Sequence, residues 1–368
     1  MAHEIEQFSD GSAAFASARI HAWHRLGEIT PEPMSVDEAM VKANLAEWNV
    51  RTEPLMALVP GLQCVECGHL LGDQHDELCA TGDHDGLDDS RKVDQDDTAV
   101  PTEVPDHKAV IRDNPETRSP EVLGVAGLDY TPIQNDQLAE MIKAITDQSG
   151  GFVETAGSLR GGRDVFVTTK LPEGLTVGGV DEMELYLAGM NSHDGRRALR
   201  LITTPVRVVC ANTQAAALRD FRSSFTIRHT PGAHRRIQEA REALQLTWSY
   251  VAEFQAEAEK MINKTLPGKT FEKLIRQIWP KPDEDANSLV KETDDKRMED
   301  LLGLFRTAET QENIRGTRWA GYQAITEYVD HFAPVKDTEN AGAVRAERAL
   351  LGQAKAVKEK AFGLMVVA

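Results

Sequence analysis

FVETAGSLRGGRDVFVTTKL, residues 152–171, decides how this chain is read. Apolar and polar residues alternate on both sides of Arg160-Gly161-Gly162, and a glycine pair between two alternating runs signals a β-hairpin. Outward from it, DEMELYLAGMNSH (181–193) and RALRLITTPVRVVC (197–210) supply two more strands. Upstream, NDQLAEMIKAITDQSGG (135–151) reads as a helix capped by Asn135 or Asp136 and stopped by Gly150 and Gly151. Downstream, ANTQAAALRDF (211–221) turns helical, with Asn212 or Thr213 at its cap. The centre is therefore helix, three or four antiparallel strands, helix.

Towards the N-terminus, SARIHAWHRLG (17–27) ends at Gly27, and SVDEAMVKANLAEW (35–48) opens with a capping box, Ser35 with Glu38. NVRTEPLMALV (49–59), HKAVIRD (107–113) and EVLGVAGLDY (121–130) read as strands. Residues 61–106 differ in composition: a cysteine cluster, then GDHDGLDDSRKVDQDDTAVPTEVPD, acidic and without aromatic residues. Such a stretch cannot bury enough apolar surface to order itself, and it reads as an insertion in a hairpin loop. Beyond Pro231-Gly232, helix follows helix: residues 234–263, 269–279, 297–309, 317–332 and 343–360, with an acidic, proline-bearing break at 280–295. The expected class is α+β, an antiparallel sheet core with flanking helices followed by an all-helical C-terminal third. The divisions are an N-terminal part of the core (1–60), the insertion (61–106), the core continued (107–245) and a helical region (246–368).

A formal net charge of -18 and a pI near 5.1 argue against bulk adhesion to nucleic acid or an anionic membrane. No apolar run reaches the roughly 20 residues that span a bilayer, and MAHEIEQFSDGSAAF lacks the basic start of a secretory signal. A cytoplasmic location, with reduced thiols, is expected.

Cys64-x2-Cys67, followed by His75 and Cys79, has spacing that can close a tetrahedral zinc site, with His69 and His84 as possible substitutes. Four protein ligands would make that zinc structural, because catalysis needs an open position. The competing reading is an acidic loop with incidental thiols. Residues 191–244 hold ten arginines and no lysine. Arginine is preferred where a planar fork must grip phosphate bidentately. Arg196, Arg197, Arg200, Arg207, Arg222, Arg228, Arg235 and Arg236, with His229 as a further donor, form a candidate nucleic-acid-binding groove. In the competing reading they pair with surface carboxylates. Arg200 and Arg207 would face opposite sides of an unbroken strand, but Pro205 is expected to disturb the register and leave their facing open. Ser192-His193-Asp194-Gly195 invites a catalytic His–Asp pair, yet a turn explains it equally well. No nucleophile, acid–base pair or phosphate loop stands at telling spacing, so no enzyme is expected.

Four stretches together, AWHRLG (22–27), ETAGSLRGGRDVFV (154–167), NSHDGRRAL (191–199) with TPVRVVCANTQAAAL (204–218), and TRWAGYQAITEYVDH (317–331), carry a resemblance. They are similar to the phage/plasmid-like protein family, domain of unknown function 932, of phages, prophages and plasmids. That family usually runs through the first hairpin without a cysteine-bearing insertion, so the resemblance does not support zinc. The order helix, hairpin, third strand, long helix also resembles the core of single-strand annealing recombinases, a likeness of fold that does not fix function. What this implies is an oligomeric, non-enzymatic accessory protein of a mobile element that binds single-stranded DNA and promotes annealing. The alternative is a protein-interaction or regulatory factor of a mobile element with no nucleic-acid contact.

Overall fold

The computed structural model describes residues 5–19, 26–60, 99–207, 224–233, 240–334 and 353–367. Strands β1 (Phe15–Ala18) and β2 (Glu28–Thr30) pair in parallel. Helix α1 (Val36–Lys42) follows, and the Ser35 hydroxyl accepts from the Glu38 amide at 3.2 Å. Strands β3 (Arg51–Pro60), β4 (Ala99–Asp113) and β5 (Pro120–Gly127) make a three-stranded sheet of their own, in that order. β3 and β4 are antiparallel, with Pro60 opposite Ala99, so β4 begins inside the stretch 61–106 whose composition marks it as an insertion. Pairing of its backbone with β3 overrides the acidic, proline-bearing composition of residues 99–106.

Helix α2 (Asn135–Ser149) stops as expected at Gly150, whose φ of 72° suits glycine. Its start differs from the reading. Gln134 is the cap, its amide donating to Gln137 Oε1 at 2.8 Å, while its own side chain bonds the backbone of Val50.

The hairpin of β6 (Phe152–Leu159) and β7 (Asp164–Lys170) forms around Arg160, Gly161 and Gly162, all at positive φ. With β8 (Leu175–Val177), β9 (Asp181–Ser192), β10 (Leu199–Arg207) and β11 (Ser224–Ile227) it builds an eight-stranded sheet. The order is β11-β10-β9-β7-β6-β1-β2 with β8 beside β9, antiparallel except for β1–β2, and so larger than the three or four strands expected. β9 and β10 pair without a shift from Arg200↔Met190 through Pro205↔Leu185 to Arg207↔Met183. Pro205 therefore does not disturb the register, and positions 200 and 207 have opposite parity.

One face of this sheet carries α1 and α2. Ala156, Val165, Val167, Leu187, Leu199 and Leu201 meet Met40, Leu138 and Ile142 there, and Val110 and Ala126 of the smaller sheet close the same core. Gly189 lies under α2, where a Cβ would sit 2.9 Å from side-chain carbons of both Leu138 and Ile142.

The C-terminal helices are α3 (Ala240–Ile262), α4 (Gly268–Ile278), α5 (Ser288–Thr307), α6 (Arg318–Glu327) and α7 (Gln353–Val367). A 3-10 turn (Glu309–Ile314) precedes α6, and a π turn (Tyr328–Phe332) extends it. α5 starts at Ser288 behind an Asn287 cap, so the expected break at 280–295 is shorter than read. These helices form a second core that takes in Leu171, Leu175, Val177, Met183 and Leu185 from the sheet.

Candidate functional site

Two turns meet at one end of the eight-stranded sheet: Arg160–Arg163 between β6 and β7, and His193–Ala198 between β9 and β10. Asp164 begins β7 opposite Ser192 at the end of β9, which sets the two turns side by side. Asp164 and Asp194 are 4% and 6% exposed and act as clamps. Arg160 Nε donates to Asp164 Oδ2 at 2.6 Å and Arg160 Nη2 to Asp194 Oδ2 at 3.0 Å. Arg197 Nη1 reaches Asp164 Oδ2 at 3.1 Å. Asp194 Oδ1 accepts from the Ser192 hydroxyl at 2.9 Å and from the Arg196 amide at 3.0 Å. Burial alone would raise the Asp194 pKa, but these donors hold it below the usual carboxylate range. Gly124 of β5 lies against this turn, since a Cβ on it would fall 2.7 Å from the Asp194 Cα.

His193 is fully buried and turned away from Asp194. Its Nε2 lies 2.9 Å from Asn135 Oδ1; an amide oxygen only accepts, so Nε2 carries the proton. Asn135 in turn donates to the Leu45 carbonyl, and the His193 amide donates to Arg163 O at 2.7 Å. Burial, with smaller contributions from His229 and Arg112, pulls the His193 pKa down to about 3. Ser192, His193 and Asp194 thus form no relay: the serine serves the aspartate, and the histidine serves Asn135.

Behind the first turn sits Arg112, 0% exposed, its guanidinium 4.1 Å from the centre of the Trp48 ring. It donates to Glu121 Oε2 from Nε (3.0 Å) and Nη2 (2.8 Å), and to both carboxylate oxygens of Glu6. Glu6 also accepts from the Ser158 hydroxyl at 2.9 Å, tying the N-terminal segment to β6. A Cβ at Gly162 would overlap the Arg112 guanidinium.

The arginines of the sequence reading divide accordingly. Arg197 is clamped. Arg196 is 75% exposed, with its Nε 3.8 Å from Asp194. Arg200 and Arg228 are exposed and make no ion pair with a described residue. Arg200 is opposite Thr226, and Arg228 lies one residue past β11. The two are diagonal neighbours, about 7–8 Å apart, on the sheet face away from α2. Arg163, which sequence reasoning missed, is a fourth exposed arginine at this end. Its signal was the second arginine of the RGGR turn. His229 corrects the reading: it is 8% exposed, its ring stacks on Tyr130 at 4.9 Å, and burial lowers its pKa to about 4, so it is no surface donor. Arg222, Arg235, Arg236, Cys64, Cys67, His75 and Cys79 lie outside the described residues, and Arg207 is placed only by its register. Among the described residues no group of three or more His, Cys, Asp or Glu is arranged to hold a metal ion.

The span that brings both turns together matches the family described as Domain of unknown function (DUF932), over residues 122–351. This chain belongs to the DUF932 family. The DUF932 match begins in β5 and takes in both turns, all of the larger sheet from β6 onward, and helices α3 to α6. AWHRLG (22–27) and the β3–β4 hairpin lie before the DUF932 segment, as do Glu6 and Arg112, the residues that buttress its first turn. No curated protein and no solved structure matches the chain. No described helix of this DUF932 protein is long and apolar enough to cross a membrane.

Proposed function

We propose that the protein is a non-enzymatic factor of a mobile element that binds single-stranded nucleic acid across the two turns and the outer face of β10–β11. The observation that carries this reading is the division of labour among the arginines. Asp164 and Asp194 neutralise Arg160 and Arg197 and hold the turns rigid, while Arg163, Arg196, Arg200 and Arg228 stay exposed at one end of the sheet. Guanidinium forks held on a rigid support suit a phosphate backbone and make no demand on base identity. The whole chain is acidic, but screening within about 8 Å at physiological salt lets a local cluster act on its own.

Four phosphate contacts on a single strand give a slope of log K against log salt of about -3. The double substitution Arg200→Glu with Arg228→Glu should flatten that slope by roughly half and leave the melting temperature within a degree or two. Arg160→Ala should behave in the opposite way, lowering stability because it strips the buried Asp164 and Asp194 of the guanidinium they share. Loss of stability in R200E/R228E together with no measurable DNA affinity would discard this reading and leave the interaction factor without nucleic-acid contact.

A further inference from the structure

We infer that α5 and the π turn form a docking groove for a basic amphipathic helix of a partner protein. The groove has a volume of about 790 Å³ and lies in the helical region, away from the arginine-bearing turns. Its lining carries four carboxylates, Glu292, Asp295, Glu299 and Asp300, against one ammonium, Lys296. None of these five makes an ion pair with a described residue. The lining also includes Gly303, Leu304, Thr307 and Ala308, further along the same stripe of α5 and just past its end. Phe332 of the π turn completes the lining and is 50% exposed. Leu289, one turn ahead of Glu292 on the same helix face, is 69% exposed.

Gly303 is the telling residue. It sits inside a 20-residue helix, where glycine weakens the helix, and a Cβ on it would meet nothing within 4 Å. No described residue therefore needs a glycine there, whereas an incoming helix gains closer approach from one. From Glu292 to Thr307 the groove rises about 22 Å, room for roughly four turns of a second helix. Apolar anchors on i, i+3, i+4, i+7 spacing would cover Phe332, Leu304 and Ala308, and lysines or arginines would meet the carboxylates. The same carboxylates repel phosphate, so this surface does not extend the nucleic-acid reading and does not depend on it.

The test uses the full chain and two labelled peptides of about 18 residues: a leucine–lysine amphipathic helix, and a scrambled order of the same composition. Fluorescence anisotropy at physiological salt should show the helix binding at least about tenfold more tightly than the scramble. Phe332→Asp and Gly303→Leu should each weaken that binding by about tenfold or more. Gly303→Leu is expected to keep or raise the melting temperature, so its effect cannot be laid to unfolding. Equal binding of both peptides, or insensitivity to both substitutions, would overturn the proposal. So would a concentration-dependent self-association abolished by F332D, which would assign the groove to a second copy of the chain.

Discussion

At residue 162 the backbone has a φ of 80° and the Arg112 guanidinium fills the space where a Cβ would go, whereas Gly161, at 62°, faces open space. Gly161→Ala should therefore cost about 1 kcal/mol, from backbone strain alone. Gly162→Ala should cost about 2–4 kcal/mol, because it also dislodges a buried cation from Glu6, Glu121 and Trp48. Urea unfolding of the two variants measures the difference directly. The buried histidines set a second expectation. The folded pKa values of about 3 for His193 and about 4 for His229 lie below the unfolded value, so the unfolded chain takes up protons first as pH falls. Their contribution is intact above about pH 6.5 and is lost on acidification, by about 2 kcal/mol for each histidine between pH 7 and 5. His193→Gln should remove roughly half of that dependence, read as the shift of the urea midpoint with pH. At this scale little was legible in sequence. A separation of 106 positions hides the contact between Glu6 and Arg112, and nothing local says that His193 turns to Asn135 rather than to its neighbour Asp194.

Elements were easier to read than their edges. The β6–β7 hairpin, α1 with its Ser35 cap and the Gly150 stop follow from local chemistry that tertiary contacts leave unchanged. The cap of α2 was misplaced because Asn135, a good capping residue, is instead committed to Leu45 and His193 inside the core. β4 was cut short because its first eight residues look disordered by composition and become a strand only through β3. That pairing makes Pro60 and Ala99 the natural points for deletion. Replacing residues 61–98 with a short glycine-containing turn should leave the melting temperature unchanged or raise it, because a shorter loop costs less closure entropy, by about 0.6 kcal/mol per halving. We propose that Cys64, Cys67, His75 and Cys79 hold one structural zinc. Metal analysis should then give about one equivalent for the full chain and none for the deletion. Substoichiometric zinc in the full chain would remove that site.

Among the described residues the two large apolar cores are bridged by strand β9 and by Trp248 of α3, which packs against both. β9 sends Leu187 into the core under α1 and α2, and Met183 and Leu185 into the core of the C-terminal helices. At the start of that strand, Trp319 Nε1 donates to Asp181 Oδ2 at 2.7 Å, with both residues fully buried. A division near residue 245, drawn where helices take over in the sequence, therefore falls within α3 and separates no independent core. Unfolding should accordingly be one cooperative calorimetric transition. Trp319→Phe should lower it as a whole, by about 2–4 kcal/mol, rather than split it in two. Two resolved transitions in the native chain would contradict that coupling.

The place of β1 in the sheet has a consequence for synthesis. Phe15 pairs with Gly157, so the ribosome makes β1 about 140 residues before the strand that receives it. At about 5–20 residues per second that is a wait of roughly seven to thirty seconds. Over this interval the only neighbour from the sheet already made is the three-residue β2, and the edge of β1 that later meets β6 stays open. A four-residue strand of Phe15, Ala16, Ser17 and Ala18, with a single large side chain, offers little for a neighbouring nascent chain to capture while it waits.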